Sequence, residues 1–422
     1  MLPYAEATNI IKRTTWRDKQ KGELCLLDES CGRILASEIL CPEDNPAFDN
    51  SAMDGFALQS ELTTAASAKN PVEVPIFQTL GAGETSSTKL PHQVALEIMT
   101  GAEIPANYFN TVVRLEDVRV TEIKSERKLI ITEPILPNKN IRTRGSDLKS
   151  GEVLLSSGTL IQPFQMMALA TFGISSVPVL RQPSVVLIST GKELVDYRSS
   201  PPSQGHIRNS SAPFLERYLK ELGCRVNYLG IVDDDVQSIK KVFQKALSMA
   251  PDLIISTGGV SVGCYDWVEP VLRELDAKIH FHKCAIRPGK PILFASLGPT
   301  NIFGVPGNPI SSAVAARFFI NPYLRSFFGL PEEKYQQAVL TNDVKKPEGL
   351  RTFLRAKSFY DKNCLHVEVL PGQESYRLRS SLVANSWVVI YEPEEFVKKG
   401  TCVDVCSLYG HMLEVNNEEI YG

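Results

Sequence analysis

The feature that most constrains the fold is a regular alternation of apolar runs and amphipathic segments between residues 183 and 327. The run SVVLIST at 184–190 is continuous and rich in β-branched residues, as a strand buried on both faces should be. The segment SAPFLERYLKELG then places five apolar side chains on one helical face and ends at Gly223. Because three more strand–helix pairs follow, the sequence predicts an α/β fold with a doubly wound parallel sheet.

The region before this sheet contains different patterns. A chain of 422 residues exceeds one ordinary core, so two to four domains are expected. Residues 1–45 are predicted to be mostly helical, because residues 27–39 carry apolar positions at helical spacing. Residues 46–139 contain short β-like runs separated by Gly, Pro and Asn. Residues 140–180 predict a strand pair and then a helix ending at Gly173.

Two further segments complete this division of the chain. Residues 181–183 form a predicted linker into the α/β domain, which we bound at residues 181–327. After residue 327 the helical patterns stop, and the runs alternate or are continuously apolar. Asp361-Lys362-Asn363 favours a hairpin turn, so residues 328–422 are predicted to form a small β domain.

Composition excludes several classes of function. A formal net charge of −3 offers no basic field for nucleic acid or anionic lipid, so neither is an expected partner. No apolar run approaches the roughly 18 residues of a membrane span, and the N-terminal residues lack a signal-peptide core. Nine cysteines without CxxC pairs indicate free thiols in a reducing cytoplasm. For Cys402 and Cys406, sheet packing is favoured over a metal site.

The loops that follow the four predicted parallel strands are the expected location of a ligand. In a doubly wound sheet, ligands bind outside the carboxyl ends of the strands. Backbone N–H groups at the helix N-termini beyond such loops bind anions, so we expect a phosphate or another oxyanion at this edge. The loop sequences are STGKEL (189–194), IVDDD (231–235), STGGVSVGCYD (256–266) and GVPGNPISS (304–312).

The glycine-rich loop of residues 258–263 has two interpretations. It matches neither the GxGxxG dinucleotide motif nor a GxxxxGK[ST] phosphate loop. A glycine turn between a strand and a helix often serves tight packing alone. The hydroxyls of Ser256, Thr257 and Ser261 favour a ligand site, because a packing turn does not require them.

Acidic residues accumulate at the same edge, and their roles remain open at this point. Asp235 fits a helix N-cap that also compensates the helix dipole. Glu193, Asp234 and Asp266 are candidates for Mg²⁺, which takes one or two carboxylates together with phosphate oxygens. Alternatively, such an acid accepts paired N–H bonds from an amino-substituted heterocycle.

Cationic residues supply a possible oxyanion clamp. Lys283, Arg287 and Lys290 lie together in HKCAIRPGKP, either as a solvated turn or as ligands of a phosphate. The segment IRTRGSD (141–147) adds two arginines and Asp147 with the same ambiguity. No HExxH, GxSxG or Cys/His ligand spacing occurs, and the six dispersed histidines are interpreted as packing or surface residues.

Taken together, these loops resemble the molybdopterin molybdenumtransferase family, which includes the C-terminal domain of gephyrin. The combination of FDNSAMDG with STGGVSVG and PGNP is specific, and weaker matches at 353–355 (FLR) and 373–375 (QES) extend the resemblance over nearly the whole chain. In the family's order, the matching stretches are CGRILA, FDNSAMDGFA, IMTGAEIP, IRTRGSD, STGKEL, GIVDDD, STGGVSVGCYD, IRPGKP and GVPGNPISS.

The resemblance implies four domains and a homodimer. These are an elongated N-terminal domain (1–45 with 140–180), a β-rich inserted domain (46–139), a molybdopterin-binding α/β domain (181–327) and a C-terminal β-barrel (328–422). The implied site lies between the α/β domain of one subunit and the inserted domain of the other. The implied reaction inserts molybdate into adenylylated molybdopterin with Mg²⁺, releasing molybdenum cofactor and AMP.

The resemblance also assigns site residues by position. Those implied in catalysis are Asp54, Thr100, Asp147, Glu193, Asp234, Asp266, Lys283 and Arg287. Glu193, Asp234 and Asp266 are the implied metal ligands. Those implied in binding molybdopterin or the oxyanion are Ser256, Thr257, Gly258, Gly259, Ser261, Gly263, Lys290, Pro306, Gly307, Asn308, Pro309, Arg355 and Ser375.

Two positions depart from the family pattern, and two rival functions remain. Lys192 stands where the family commonly has an acid, and Arg287 where lysine is common. The enzymatic rival is molybdopterin adenylyl transfer, although one α/β domain suffices for that step. The other rival is a non-enzymatic binding or scaffolding paralogue. Molybdopterin adenylyltransferase and molybdoenzyme chaperones are the possible protein partners.

Overall fold

The structure, a computed structural model, divides into two compact units. The first unit comprises residues 1–37, 158–163 and 176–422, and the second comprises residues 38–157 and 164–175. The structure describes residues 1–15, 22–86, 89–105, 107–200, 203–260 and 266–410.

A six-stranded sheet forms the centre of the first unit. Its first four strands are parallel, whereas the last two run antiparallel to their neighbours. The predicted doubly wound sheet is confirmed, with an antiparallel edge added. In spatial order the strands are Arg225–Val232, Ser184–Thr190, Leu253–Thr257, Thr300–Val305, Leu293–Leu297 and Lys278–His282.

Successive residues of the central strands pack against opposite layers of helices. Val185 and Leu187 belong to one apolar cluster, whereas Val186 and Ile188 belong to a second. Burial on both faces explains why the sequence of this strand is continuously apolar. The helices of this domain are Ser211–Glu221, Val236–Ser248, Val268–Glu274, Pro309–Ala315 and Asn321–Phe327, the last two joined by a π-helical stretch at Ala316–Ile320.

The segment 181–183 that leads into this sheet is anchored by a bidentate ion pair. The two terminal guanidinium nitrogens of Arg181 contact the carboxylate oxygens of Asp252 at 2.6 and 2.8 Å. The same carboxylate accepts the backbone N–H of Ser184 at 2.9 Å, at the start of the first strand of the domain. These bonds fix the point at which the chain enters the sheet.

The C-terminal strands close into a barrel, as predicted. Closure occurs where Arg351–Asp361 pairs with Ser386–Ile390 as well as with the next strand in sequence. Lys362 and Asn363 form the predicted hairpin turn, with φ of 46° and 65°. The five strands of the ring are Arg351–Asp361, Cys364–Val369, Gln336–Leu340, Cys402–Ser407 and Ser386–Ile390.

The barrel is also joined to the α/β domain through the backbone. The short strand Ile286–Arg287 pairs in parallel with Arg351 and Thr352 of the barrel. Phe318 stacks on Phe353 with ring centroids 3.8 Å apart, so apolar contacts reinforce the same junction.

The prediction for residues 27–39 is wrong. The long helix of the N-terminal region spans only Tyr4–Thr14. Leu27–Glu29 is a single 3₁₀ turn, and Gly32 with φ of 80° ends any helical continuation. Ile34 and Leu35 are buried and form β-bridges to Leu160 and Val179, respectively. Their apolar side chains fall at the spacing of a helical face, although the segment is not helical.

The second unit is built on another six-stranded sheet and includes most of the helix Pro163–Thr171. Its central strands contribute residues to two apolar clusters, and one cluster lies on each face of the sheet. The β-rich nature predicted for residues 46–139 is therefore confirmed. In spatial order the strands are Thr111–Arg114, Gly55–Leu58, Ala95–Ile98, Val72–Leu80, Glu126–Ile131 and Arg119–Ile123.

Short two-stranded pairs complete the secondary structure. None of the helices in the described ranges is long and apolar enough to cross a membrane. Eight of the nine cysteines fall in those ranges, and all eight are free thiols. The short pairs are Gly22–Leu26 with Ser176–Leu180, Ile39–Leu40 with Val153–Leu155, Asn50–Ser51 with Ile141–Arg142, Leu194–Val195 with Ile207–Arg208, and Val344–Lys345 with Phe396–Val397.

Candidate functional site

Two acid-bearing turns meet at the carboxyl edge of the α/β sheet. The backbone N–H of Gly191 donates to the carbonyl of Val232 at 3.2 Å, which joins the turns after two neighbouring strands. The N–H of Lys192 lies 3.4 Å from one carboxylate oxygen of Asp234. The exposed side chain of Glu193 folds back over Gly191, with a carboxylate oxygen 2.9 Å from where a Cβ would stand.

Asp234 has the electrostatic character of a ligand-binding carboxylate. Its second oxygen, Oδ1, is buried and has no hydrogen-bond partner among the described residues. Burial raises the pKa of Asp234, hydrogen bonding from Lys192 and Thr190 opposes that rise, and the charge of Glu193 adds to it. An unsatisfied buried carboxylate oxygen beside a second acid is a costly arrangement that a cation would relieve.

The glycine turn approaches the same edge closely. Gly258 has φ of 87°, and a Cβ at this position would lie 2.4 Å from the carbonyl oxygen of Thr190. The N–H of Gly258 donates to the carbonyl of Val305 at 3.0 Å. A Cβ on Gly307 would lie 3.7 Å from the Cα of Gly258. Glycine is therefore required here both for the backbone conformation and for the close approach of three loops.

A cluster of buried hydroxyls lies beneath the turn. Thr257 Oγ1 lies 3.2 Å from Ser189 Oγ, which also accepts the amide of Asn209 at 2.8 Å. Tyr228 joins this cluster through Asn209 at 3.0 Å. Ser256 Oγ is buried without a partner among the described residues. Asn209 and Tyr228 were not among the predicted site residues, because they come from segments that no recognised loop motif includes.

The predicted loop 306–309 presents backbone groups to the same region. Ser312 Oγ donates to the carbonyl of Pro306 at 2.6 Å and holds the loop against its own helix. Asn308 precedes the helix that begins at Pro309. The N–H of Ile310 donates to the carbonyl of Ser375 at 3.2 Å, which brings a barrel loop to the edge of the α/β domain.

Arg355 reaches this loop in an unexpected way. Its side chain is 1% exposed, and its guanidinium donates to the carbonyls of Gly372, Glu374 and Arg377 and to Gln373 Oε1. These bonds occupy the donors that an oxyanion would need. The structure therefore places Arg355 behind the loop that carries Ser375.

The cationic turn lies where the edge strand ends. Lys283 has φ of 76°, which is unfavourable for a residue with a side chain, and its N–H donates to the carbonyl of Ile292 at 2.9 Å. The side chains of Arg287 and Lys290 are exposed. Arg287 is fixed through its backbone, which pairs with Thr352 of the barrel.

Three predicted residues lie at the boundary of the described chain. Ser261 and Gly263 fall outside the described residues. Asp266 is described and precedes the helix Val268–Glu274, which begins two residues later. Among the described residues, no group of three or more His, Cys, Asp and Glu side chains converges as metal ligands.

The remaining predicted residues lie in the second compact unit. Both the N–H and the hydroxyl of Thr100 donate to Asp54. Asp54 directly precedes the strand Gly55–Leu58 of the six-stranded sheet in this unit. Asp147 accepts the amide of Asn45 at 2.8 Å and is exposed. The side chain of Arg144 instead pairs with Asp44 at 2.6 Å.

Three family models match consecutive parts of the chain. The MoeA N-terminal region (domain I and II) matches residues 2–173. A model described as a probable molybdopterin binding domain matches residues 186–326. The MoeA C-terminal region (domain IV) matches residues 337–408. The middle model covers the loops from Ser189 to Ser312 that form the candidate site.

Full-length relatives show the same similarity. A molybdopterin molybdenumtransferase of Synechococcus elongatus is 38% identical over 97% of this chain and 100% of its own length. One from Bacillus subtilis is 33% identical over 96% of this chain and 93% of its own length. The crystal structure of a molybdopterin biosynthesis MoeA protein from Pyrococcus horikosii superposes with a TM-score of 0.81 at 28% identity, covering 97% of this chain and all of that one.

Proposed function

Because this chain belongs to the molybdopterin molybdenumtransferase family, we propose that it inserts molybdate into adenylylated molybdopterin and releases AMP. The observation that carries this proposal is the convergence at the carboxyl edge of the sheet. There the unpartnered carboxylate oxygen of Asp234, the turn at Gly258 and the loop of Gly307 come together through close backbone contacts.

The residues present fit a Mg²⁺ ion, which the family implies. Asp234 and Glu193 supply two adjacent carboxylates, and burial without a partner leaves one oxygen of Asp234 available. Mg²⁺ uses one or two carboxylates and completes its shell with water and phosphate oxygens. When bound, the ion would neutralise negative charge on the pyrophosphate of the substrate. Asp266 is the third acid that the family resemblance implies, but it does not converge with the other two as a ligand set among the described residues.

The protein's own groups have three tasks in this reaction. The turn at Gly258 presents backbone groups to the molybdopterin moiety, and the buried hydroxyls of Ser256 and Thr257 lie beneath that turn. Lys283 and Arg287 attract molybdate, because a dianion needs cationic partners in a partly dehydrated site. Holding molybdate beside the dithiolene removes most of the entropic barrier to exchange.

The overall reaction requires no side-chain nucleophile and no electron transfer. Each dithiolene thiol that bonds to molybdenum displaces one oxygen of molybdate, which takes the thiol proton and one proton from solvent and leaves as water. Cleavage of the phosphoanhydride takes up one water and releases AMP, which makes insertion favourable. Molybdenum keeps the oxidation state of molybdate throughout.

We further propose that the protein acts as a cytoplasmic homodimer. Free thiols at all eight described cysteines agree with a reducing compartment. In the family arrangement, the inserted domain of one subunit completes the site on the α/β domain of the other. Asp54, Thr100 and Asp147 would then contribute to the site from the second copy.

A direct assay tests the proposal. Purified protein with adenylylated molybdopterin and Mg²⁺ should release AMP when molybdate is added, and should stop when Mg²⁺ is chelated. AMP release that does not depend on molybdate would show that the proposed function is wrong. Formation of adenylylated molybdopterin from ATP and molybdopterin would instead indicate the adenylyltransferase reaction.

A further inference from the structure

His282 lies between two oxygen acceptors that belong to different parts of the candidate site. Its Nδ1 is 2.5 Å from a carboxylate oxygen of Glu269, and its Nε2 is 2.7 Å from the carbonyl oxygen of Val260. The side chain of His282 is 15% exposed and that of Glu269 is 25% exposed. Both contacts are therefore largely removed from water.

The partners determine the protonation of the ring. A backbone carbonyl can only accept a hydrogen bond, so Nε2 must be a donor. Burial raises the pKa of Glu269, but hydrogen bonds from Arg273 and His282 outweigh it and leave the pKa below its ordinary value. Glu269 is thus a carboxylate and can only accept, so Nδ1 must be a donor as well. A ring that donates from both nitrogens is an imidazolium cation.

These two bonds connect elements that are not neighbours in the sheet. Val260 follows the glycine turn after the strand Leu253–Thr257, whereas His282 ends the edge strand Lys278–His282. Two other strands separate them in the sheet order. Glu269 lies on the helix Val268–Glu274, which packs on this face. One imidazolium therefore fastens the turn, the helix and the strand end together.

Val260 is held at two points, by its side chain and by its carbonyl oxygen. The side chain of Val260 is buried against Gly304, where a Cβ would lie 2.6 Å from its Cγ1. That contact holds the side chain, and the bond from His282 orients the carbonyl. Val260 directly follows Gly258 and Gly259, so this bond ties the end of the glycine turn to His282.

At its other end, His282 directly precedes Lys283. The positive φ of Lys283 is strained, and such a conformation persists only where the surroundings over-determine it. The N–H of Lys283 and its carbonyl are bonded to Ile292 and Leu2, respectively. The two hydrogen bonds of the His282 side chain additionally fix the residue that precedes Lys283.

We propose that His282 is a positioning residue that, as an imidazolium, aligns the glycine turn with Lys283 for the transfer reaction. This inference rests on the proposed function, because the turn and Lys283 are site residues only within it. The glutamate is the anionic partner, and a neutral ring cannot make both bonds.

The protonation state can be measured without any activity. In protein labelled with ¹⁵N-histidine, both ring nitrogens of His282 should give protonated-type signals at neutral pH. The signals that disappear in His282→Gln identify this residue. A signal of the unprotonated type from either nitrogen of His282 in the wild-type protein would overturn the proposal.

Activity gives the second measurement. His282→Gln should lower kcat for molybdate-dependent AMP release about tenfold to a hundredfold, because misplacement of reacting groups by an ångström has effects of this size. His282→Lys, which restores a cation with several donors, should recover part of the loss. The control His280→Gln lies on the same strand, where His280 bonds Ser296 at 2.9 Å, and should retain activity. A His282→Gln variant as active as the wild type would refute the positioning role.

The anionic partner of His282 gives a third measurement. Glu269→Gln removes the negative charge beside Nδ1 and should lower kcat in the same direction as His282→Gln. An unchanged kcat in Glu269→Gln would contradict the proposal. If wild-type protein releases no molybdate-dependent AMP, the proposed function fails and the ¹⁵N measurement alone decides about His282.

Discussion

The carboxylate of Asp54 accepts two hydrogen bonds from Thr100 at one oxygen atom, from the backbone N–H at 2.7 Å and from the hydroxyl at 2.8 Å. Both residues are exposed, and both bonds go to Oδ1 of Asp54. A paired but accessible carboxylate is oriented for a ligand, because its geometry is fixed without loss of access. The turn containing Asp54 is thus more ordered than its polar sequence suggests.

We predict that Asp54→Asn abolishes most molybdate-dependent AMP release while the melting temperature stays nearly unchanged. Asp54 is exposed, so its removal leaves no buried group without a partner. Backbone and side-chain hydrogen bonds from Thr100 lower the pKa of Asp54. Its stabilising contribution is therefore present above the unfolded-state pKa and disappears as pH falls through the folded one. Thr100→Val, which keeps the N–H, should show a smaller loss of activity; a large drop in melting temperature for Asp54→Asn would indicate a structural turn instead.

Asp234→Asn should abolish activity and yet stabilise the metal-free protein at neutral pH by about 1–3 °C in melting temperature. The raised pKa of Asp234 means that the charged form is unfavourable in the folded state. Its stabilising contribution is present below the unfolded-state pKa and is lost as pH rises through the folded one. Calorimetry from acid to neutral pH should show the difference between the variants appearing over that rise. Added Mg²⁺ should raise the melting temperature of the wild type alone, and an equal rise in the variant would exclude Asp234 as a ligand.

Mixing two inactive variants tests the proposed homodimer. Asp54→Asn and Asp234→Asn subunits, unfolded together and refolded in equal amounts, should regain about a quarter of wild-type activity. Half of the dimers would then be mixed, and each mixed dimer would contain one intact site out of two. Absence of any recovery, with mixed dimers demonstrated by affinity tags, would argue that each subunit supplies its own complete site.

Gly258→Ala should destabilise the protein by about 3 kcal/mol or more, because a Cβ there combines a positive φ with a clash against a backbone oxygen. Gly298 is the matched control, since it has φ of 55° and open space where a Cβ would stand. Gly298→Ala should cost about 1 kcal/mol. Urea denaturation of the two variants measures the difference, and equal values would mean that the turn relaxes without cost.

Arg355→Met should cost about 3 kcal/mol of stability, because it leaves several buried carbonyls of the 372–377 loop without donors. The KM for molybdate should rise together with this loss, since Ser375 is no longer held beside Ile310. An increase in KM without loss of stability in urea would show instead that the guanidinium contacts the oxyanion directly.

The α/β domain was predictable from sequence because its strands are buried on both faces. The short run 184–190 is rich in β-branched residues and so favours a buried strand, and the helix that follows shows a clear apolar face. The helix predicted for residues 27–39 was wrong because burial in this segment has a non-local cause. Its buried residues Ile34 and Leu35 contact strands far away in sequence, and local spacing carries no trace of such contacts.

The site was predictable only in part. Loop motifs singled out Asp234, Gly258 and Asn308, and the structure places these residues in loops at the carboxyl edge of the sheet. The pair His282 and Glu269 was missed, since nothing local relates a histidine on an edge strand to a glutamate 13 positions earlier on a helix. Arg355 was identified by its motif, but whether its guanidinium reaches a ligand depends on the path of residues 372–377.

The parallel pairing of Ile286–Arg287 with Arg351 and Thr352 means that a barrel strand supports the backbone of the cationic turn. The backbone of Arg287 pairs with a barrel strand, and Phe318 would lose its stacking partner Phe353 if that strand detached. The α/β domain and the barrel therefore share a backbone and an apolar junction in this chain. A truncation after residue 327 would remove the scaffold of the clamp as well as the barrel, and loss of the transfer reaction in such a fragment would say nothing about catalysis by barrel residues.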